Sequence, residues 1–99
     1  MSFHARFTLE AKADIERLYG FLAERDLGAA ERALEVIDSA WSLLEQFPFS
    51  CRKATDATPF LRELIISFGN SGYVALFEIE DHHTVTVLAV RHQLEDDYY

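Results

Sequence analysis

Polar and apolar residues follow two different rhythms along this chain. Phe3, Ala5 and Phe7 alternate with His4, Arg6 and Thr8, a period of two that sends successive side chains to opposite faces of a strand. From Thr8 the rhythm changes. Ala11, Ile15, Leu18, Tyr19 and Leu22 recur at helical spacing, with Glu16, Arg17 and Glu24 left for water, and predict a helix running to about Arg25. Thr8 is placed to cap it, and Glu10 falls in the first turn, where negative charge suits the helix dipole. Asp26-Leu27-Gly28 interrupts the stripe and is short enough to bring the next helix back antiparallel. That helix, from about Ala29 to Gln46, carries Ala30, Leu34, Ile37, Trp41 and Leu44 on one face. Ala33, Val36, Ala40 and Leu43 form a second apolar row, so burial on two sides is expected. Phe47-Pro48 ends it.

The period of two returns three times, in Phe60–Phe68, Tyr73–Ile79 and Thr84–Val90. Gly69-Asn70-Ser71-Gly72 and Glu80-Asp81-His82-His83 separate these runs, short connections that make an antiparallel meander. Phe60, Leu64, Ile66 and Phe68 share one face of the first run, with Arg62 between them. Tyr73, Ala75, Phe77 and Ile79 share a face of the second; Val85, Val87, Ala89 and Arg91 share one of the third, opposite Leu88 and Val90. Residues 49–59 read as a surface loop, the one segment with adjacent basic residues, Arg52-Lys53. The expected fold is α+β: a strand, an antiparallel helix hairpin, then a three-stranded antiparallel meander, in a single domain over residues 1–99. Counting one reversal per element, the first strand should run antiparallel to whichever sheet edge it joins. Both edges fit.

Composition narrows the class. Ninety-nine residues with 49% hydrophobic and 13% aromatic content can bury one modest core and exclude disorder. A single cysteine, Cys51, precludes an internal disulfide and fits a reducing, cytoplasmic setting. The opening residues have no apolar h-region, so no secretory signal is expected. The longest apolar run, Tyr73–Phe77, is far too short to span a membrane. Net charge is −8, shared evenly between five basic and nine acidic side chains in residues 1–50 and four and eight in residues 51–99. Nucleic-acid binding needs a basic stripe to neutralise phosphates, and none is present, so no direct nucleic-acid contact is expected.

Candidate chemistry is sparse. Arg91 and His92 break the last apolar run and could bind a partner or a phosphate at the sheet's rim; equally, they could be a strand end reaching water. Arg62 either points to the same surface or lays its stem on the sheet and pairs with Glu63 or Glu78. His82-His83 is a hairpin tip without further ligands in reach, so no metal and no cofactor is expected. Arg52 and Lys53 could lower the pKa of Cys51, yet no His or Asp partner accompanies it. Tyr98 and Tyr99 are a frayed terminus or aromatic handles over a site.

Several motifs in this order resemble the RelE/ParE family of toxins from type II toxin–antitoxin systems, also called plasmid stabilisation proteins. Phe7-Thr8-Leu9-Glu10-Ala11-Lys12-Ala13-Asp14-Ile15 is similar to the family's opening strand-to-helix motif, with Tyr19 as its aromatic. Leu44-Glu45-Gln46-Phe47-Pro48 resembles the end of the second helix. Leu61-Arg62-Glu63-Leu64, Gly72–Ile79 and Val87-Leu88-Ala89-Val90-Arg91-His92 follow the three strands. The resemblance implies a cognate antitoxin as partner, in an oligomer with it. It also implies one of two targets: the ribosome, for a branch that cuts messenger RNA, or DNA gyrase, for the ParE-like branch. Where the family commonly carries arginines, this chain has Val74, Phe77-Glu78 and Gln93-Leu94-Glu95. An RNA-cutting site has to stabilise added charge on a phosphate, which basic groups do best. The expectation is therefore a ParE-like, non-enzymatic binder of DNA gyrase, with Arg62, Tyr73, Arg91 and His92 as target- or antitoxin-binding residues. The alternatives are a ribosome-dependent mRNA endonuclease using Arg62, Arg91, His92 and a C-terminal tyrosine, and a non-toxic antitoxin-binding module.

Overall fold

A computed structural model describes residues 2–94 of the chain. Its elements are strand β1 (His4–Phe7), helix α1 (Leu9–Ala23), helix α2 (Leu27–Gln46), a 3₁₀ turn (Pro48–Ser50), and strands β2 (Arg52–Lys53), β3 (Leu61–Phe68), β4 (Ser71–Ile79) and β5 (Thr84–His92). The five strands form one mixed sheet in the order β1-β5-β4-β3-β2. The helix hairpin covers one face of it. Both helices begin on side-chain caps, Thr8 accepting from the Ala11 N–H and Asp26 from the Ala29 N–H, which satisfies donors that helix geometry leaves unpaired. With Asp26 as cap, Leu27 and Gly28 belong to the first turn of α2 and the connection is only residues 24–26.

The core lies between the hairpin and the sheet. Ala11, Leu18, Ala33, Ile37 and Leu44 from the helices meet Leu64, Ile66, Tyr73, Ala75, Phe77, Val85, Val87 and Val90 from the strands. Phe77, Leu44, Val85 and Val87 are fully buried, each contributing about 1.5–3 kcal/mol of hydrophobic stabilisation. Trp41 packs edge-on against Phe7 at 5.0 Å between ring centres, in line with its place in the α2 stripe. The second apolar row of α2 is only partly covered, and Leu43 is exposed.

Two features depart from the expected pattern. First, β1 runs parallel to β5, with Ala5 opposite Val85 and Phe7 opposite Val87. The reason is one extra reversal: the segment read as a loop contains β2, which pairs antiparallel with β3 through Arg52–Glu63 and Lys53–Arg62. Each later strand is thereby inverted relative to the expected count. Second, β5 carries a bulge. Leu76 pairs with Ala89 but Phe77 pairs with Val87, so Leu88 is an extra residue without a partner. The bulge breaks the simple alternation: Val85, Val87, Val90 and His92 share the helix-facing side, while Ala89 and Arg91 join Thr84 and Thr86 on the far side.

Candidate functional site

At the end of the sheet where β3 turns into β4, a groove of about 580 Å³ opens between the second half of α1 and the hairpin. Arg17, Leu18, Phe21, Phe68, Tyr73 and His92 line it. The hairpin that forms one wall is tighter than the four-residue turn expected. Phe68 pairs directly with Ser71, so only Gly69 and Asn70 lie in the loop, and Gly69 supplies the positive φ (63°) that such a turn requires at its first position. Gly72 then lets the strands approach closely, for a Cβ there would sit 2.1 Å from the Ile66 carbonyl oxygen. On the opposite wall Phe21 is 60% exposed, an aromatic on the otherwise polar side of α1.

His92 and Tyr73 are direct cross-strand partners, their rings edge-to-face with centres 5.6 Å apart. Phe68 extends this aromatic row at 6.3 Å from Tyr73. The His92 ring is bonded at both nitrogens. The Leu94 N–H donates to Nδ1 at 3.1 Å, which puts the proton of the neutral imidazole on Nε2, and Nε2 then donates to Ser71 Oγ 3.0 Å away. A Ser–His contact at the mouth of a cavity invites comparison with a nucleophile and its base. The polarity is the reverse: the imidazole gives Ser71 a proton bond and has no free lone pair with which to take one. Burial pushes the Tyr73 phenol above its ordinary pKa of 10.0, so it stays protonated at neutral pH and offers no general base.

The other two expected site residues lie elsewhere. Arg91 follows the bulge onto the far face, where its Nη1 turns back to the carbonyls of His92 (3.3 Å) and Gln93 (3.5 Å). Arg62 pairs with Phe77, four residues along β4 from Tyr73, roughly 13 Å at strand spacing. Its guanidinium donates to the carbonyls of Pro59 (2.7 Å), Phe49 (3.0 Å) and Cys51 (2.7 Å) and stands 5.2 Å from the centre of the Phe49 ring. Backbone carbonyls thus take the place of the expected partners Glu63 and Glu78, and Glu63 is bonded by Arg52 at 2.9 Å. The structure therefore unites Tyr73 and His92, turns Arg91 to the other side, and sets Arg62 apart as a clamp on the loop before β3. Tyr98 and Tyr99 lie outside the described residues.

Cys51 is buried, and that burial pushes its thiol above the ordinary 9.0, outweighing the Ser50 hydrogen bond and the charge of Arg62. The depressed pKa that its basic sequence neighbours suggested is thus reversed: Arg52 turns away to Glu63. Among the described residues no group of His, Cys, Asp and Glu side chains is gathered to hold a metal ion, and no helix is long and apolar enough to cross a membrane. Two residues of the groove carry no clear signal in the sequence. Phe21 stands off the apolar stripe of α1, where a single exposed aromatic is unremarked, and Ser71 reads as a turn residue.

The element order, the helix hairpin on one sheet face and the groove at the hairpin's end define a small α+β fold. Residues 5–97 match the family described as ParE toxin of type II toxin-antitoxin system, parDE. The chain is 33% identical over 95 residues to "Toxin RelE1" of Caulobacter vibrioides, covering 96% of this chain and 98% of that protein. It is 34% identical over 86 residues to "Toxin RelE3" of the same organism, covering 86% and 88%. Its fold superposes on a solved chain described as "Chromosomal ParDE TA system from P. aeruginosa", with a TM-score of 0.76 at 17% identity over 92% of this chain and 96% of that one. The chain belongs to the RelE/ParE family of toxins of type II toxin–antitoxin systems. Membership implies a cognate antitoxin as partner.

Proposed function

We propose that this toxin acts in the ParE-like manner, by binding DNA gyrase without cutting RNA, and that its antitoxin silences it by laying an apolar segment into the groove at Tyr73 and His92. The observation that carries this reading is the dispersal of the groups an RNA-cutting site needs. Arg91 and His92 lie on opposite faces of the sheet, His92 has both ring nitrogens engaged, and the Arg62 guanidinium is bonded to three carbonyls. Cleavage of a phosphodiester requires charge stabilisation and proton transfer at one point, and these side chains do not converge on one. A net charge of −8 adds a general repulsion of RNA. The apolar, aromatic lining of the groove suits a protein segment, with Tyr73 and His92 as contact residues.

The names of the Caulobacter relatives favour a second reading, a ribosome-dependent mRNA endonuclease. One experiment separates the two. The chain is induced alone in bacteria, and growth, a DNA-damage reporter and cleavage of ribosome-bound messenger RNA are followed together, with supercoiling by purified gyrase measured alongside. Growth arrest with a rising reporter, inhibited supercoiling and intact RNA is the expected result. RNA cleavage abolished by Arg91→Gln or His92→Gln overturns it in favour of the endonuclease. Undisturbed growth with the folded protein accumulating leaves a non-toxic antitoxin-binding module.

A further inference from the structure

At the opposite end of β4 from the groove lies a second cavity, of about 310 Å³, with a different chemistry. Its lining includes Phe3, Phe49, Phe60 and Ile79, with Glu80 and Asp81 at its lip and His82 beside them. Phe49 and Phe60 meet edge-to-face, ring centres 6.4 Å apart, yet remain 51% and 48% exposed. Phe47, on the same segment of chain, is 60% exposed. Three phenylalanines facing water within fourteen residues are not accounted for by the fold's own core, which lies between the hairpin and the sheet.

The charges around the cavity say what would cover it. The Glu80 carboxylate accepts from Thr86 Oγ1 and has Arg6 Nη1 at 4.0 Å, and Asp81 accepts from the His83 N–H at 2.7 Å. These contacts fix both carboxylates in place while leaving each with unused lone pairs. The His83 N–H bond, the largest influence on Asp81, holds that carboxyl below its ordinary 3.8, so Asp81 is ionised at neutral pH. Arg62 already stands over Phe49, which leaves Phe60 and Phe3 as the aromatic wall. An apolar floor, an aromatic wall and an anionic lip together match a long side chain ending in a cation. The stem packs on the floor, and the head meets ring quadrupole and carboxylate at once. In a chain of net charge −8, a second copy would meet the same acidic lip and be repelled.

We propose that this cavity receives an arginine or lysine side chain from a partner protein, its stem against Phe60 and Ile79 and its charged head between the Phe60 ring and the carboxylates of Glu80 and Asp81. At eight residue steps from Ser71 to Ile79, roughly 26 Å, the cavity is far enough from the groove for both to be filled at once. The proposal does not depend on gyrase being the target.

The test is a titration of the full chain, followed by NMR of its phenylalanine rings and isoleucine methyls. Two short blocked peptides are compared, leucine–arginine–leucine and the same peptide with neutral citrulline in place of arginine. Shifts at Phe49, Phe60 and Ile79 that saturate, with binding about fivefold weaker for citrulline, are expected. The preference for arginine should disappear in Glu80→Gln/Asp81→Asn, which retains the hydrogen-bond acceptors toward Thr86 and His83 while removing the charge. Equal binding of both peptides, shifts mapping to another surface, or no shift at millimolar peptide overturns the proposal. Choline is titrated as a third probe; binding as tight as that of the arginine peptide would reassign the cavity to small cations.

Discussion

The backbone N–H of Val90 donates to the carboxylate of Asp14, 76 residues earlier in the chain, at 2.9 Å. Strand β1 covers the edge of β5 only as far as Val87, and beyond that point α1 lies alongside instead. Asp14, 6% exposed on the helix, thus takes the place of a ladder acceptor for a strand edge that would otherwise bury an unpaired donor.

Replacing Asp14 therefore costs more than an ordinary helix substitution. Asp14→Ala is predicted to lower stability by about 2–3 kcal/mol, because it leaves the Val90 N–H without this acceptor in a buried place. Asp14→Asn, which keeps an acceptor oxygen, should cost roughly half as much. Urea denaturation gives the energies, and hydrogen exchange at Val90 should accelerate in the alanine variant well beyond its strand neighbours.

Thr8 holds two elements with one hydroxyl. Its Oγ1 accepts from the Ala11 N–H at 3.0 Å, capping α1, and donates to the carbonyl of Leu88 at 3.1 Å, the bulged residue of β5. Thr8→Ala is expected to lose about 1–2 kcal/mol. Thr8→Ser should retain most of it, since the hydroxyl remains. A serine variant as unstable as alanine would show that the methyl group, not the hydroxyl, matters.

The two glycines Gly72 and Gly20 give opposite predictions for the same substitution. Gly72→Ala drives a methyl into the Ile66 carbonyl across the β3–β4 pair and should destabilise by roughly 3 kcal/mol. At Gly20, within α1, nothing lies within 4 Å of where an added methyl would sit, so Gly20→Ala should raise stability by up to about 1 kcal/mol. Thermal unfolding of the pair is a direct check.

Alkaline pH should unfold this protein earlier than its charge alone suggests. Burial raises both the Tyr73 phenol and the Cys51 thiol above their ordinary values of 10.0 and 9.0. The folded chain thus holds these protons more tightly than the unfolded chain does. The resulting stability is whole below pH 9 and is lost as pH rises through the raised values. Tyr73→Phe with Cys51→Ala should flatten the fall above about pH 9. At neutral pH the Cys51 thiol should react slowly with alkylating reagents unless the chain is unfolded.

Arg62 offers a test of role against position. Because its guanidinium bonds the carbonyls of Phe49, Cys51 and Pro59, Arg62→Gln is predicted to destabilise by roughly 1–3 kcal/mol and to loosen residues 49–59. Antitoxin affinity, measured well below the melting temperature, should change less than twofold. A large loss of affinity at unchanged stability would return Arg62 to the binding surface.

Much of the architecture was legible because it is written locally. The helix stripes from Ala11 to Leu22 and from Ala30 to Leu44 and the alternation in Leu64–Phe68 and Tyr73–Ile79 each depend on neighbours a few residues away. Of the four candidate site residues, Tyr73 and His92 meet as cross-strand partners. The groove itself was not legible, since Phe21 and Ser71 reach it only through the packing of α1 against the β3–β4 hairpin.

The sequence by itself determined the elements, their order and the core faces of α1, α2, β3 and β4, because hydrophobic periodicity is a property of each segment alone. Only the tertiary structure decided the direction of β1, the faces of Arg91 and His92, and the place of Arg62. The direction of β1 turns on β2, a strand of two residues, Arg52 and Lys53, too short to leave a period of its own. The faces of Arg91 and His92 turn on one unpaired residue, Leu88, hidden in the apolar run Val87-Leu88-Ala89-Val90. Thr8 and Asp14 bond the backbone at and beyond that bulge from 80 and 76 residues away. Such contacts depend on which segments meet in space, and no local pattern records them.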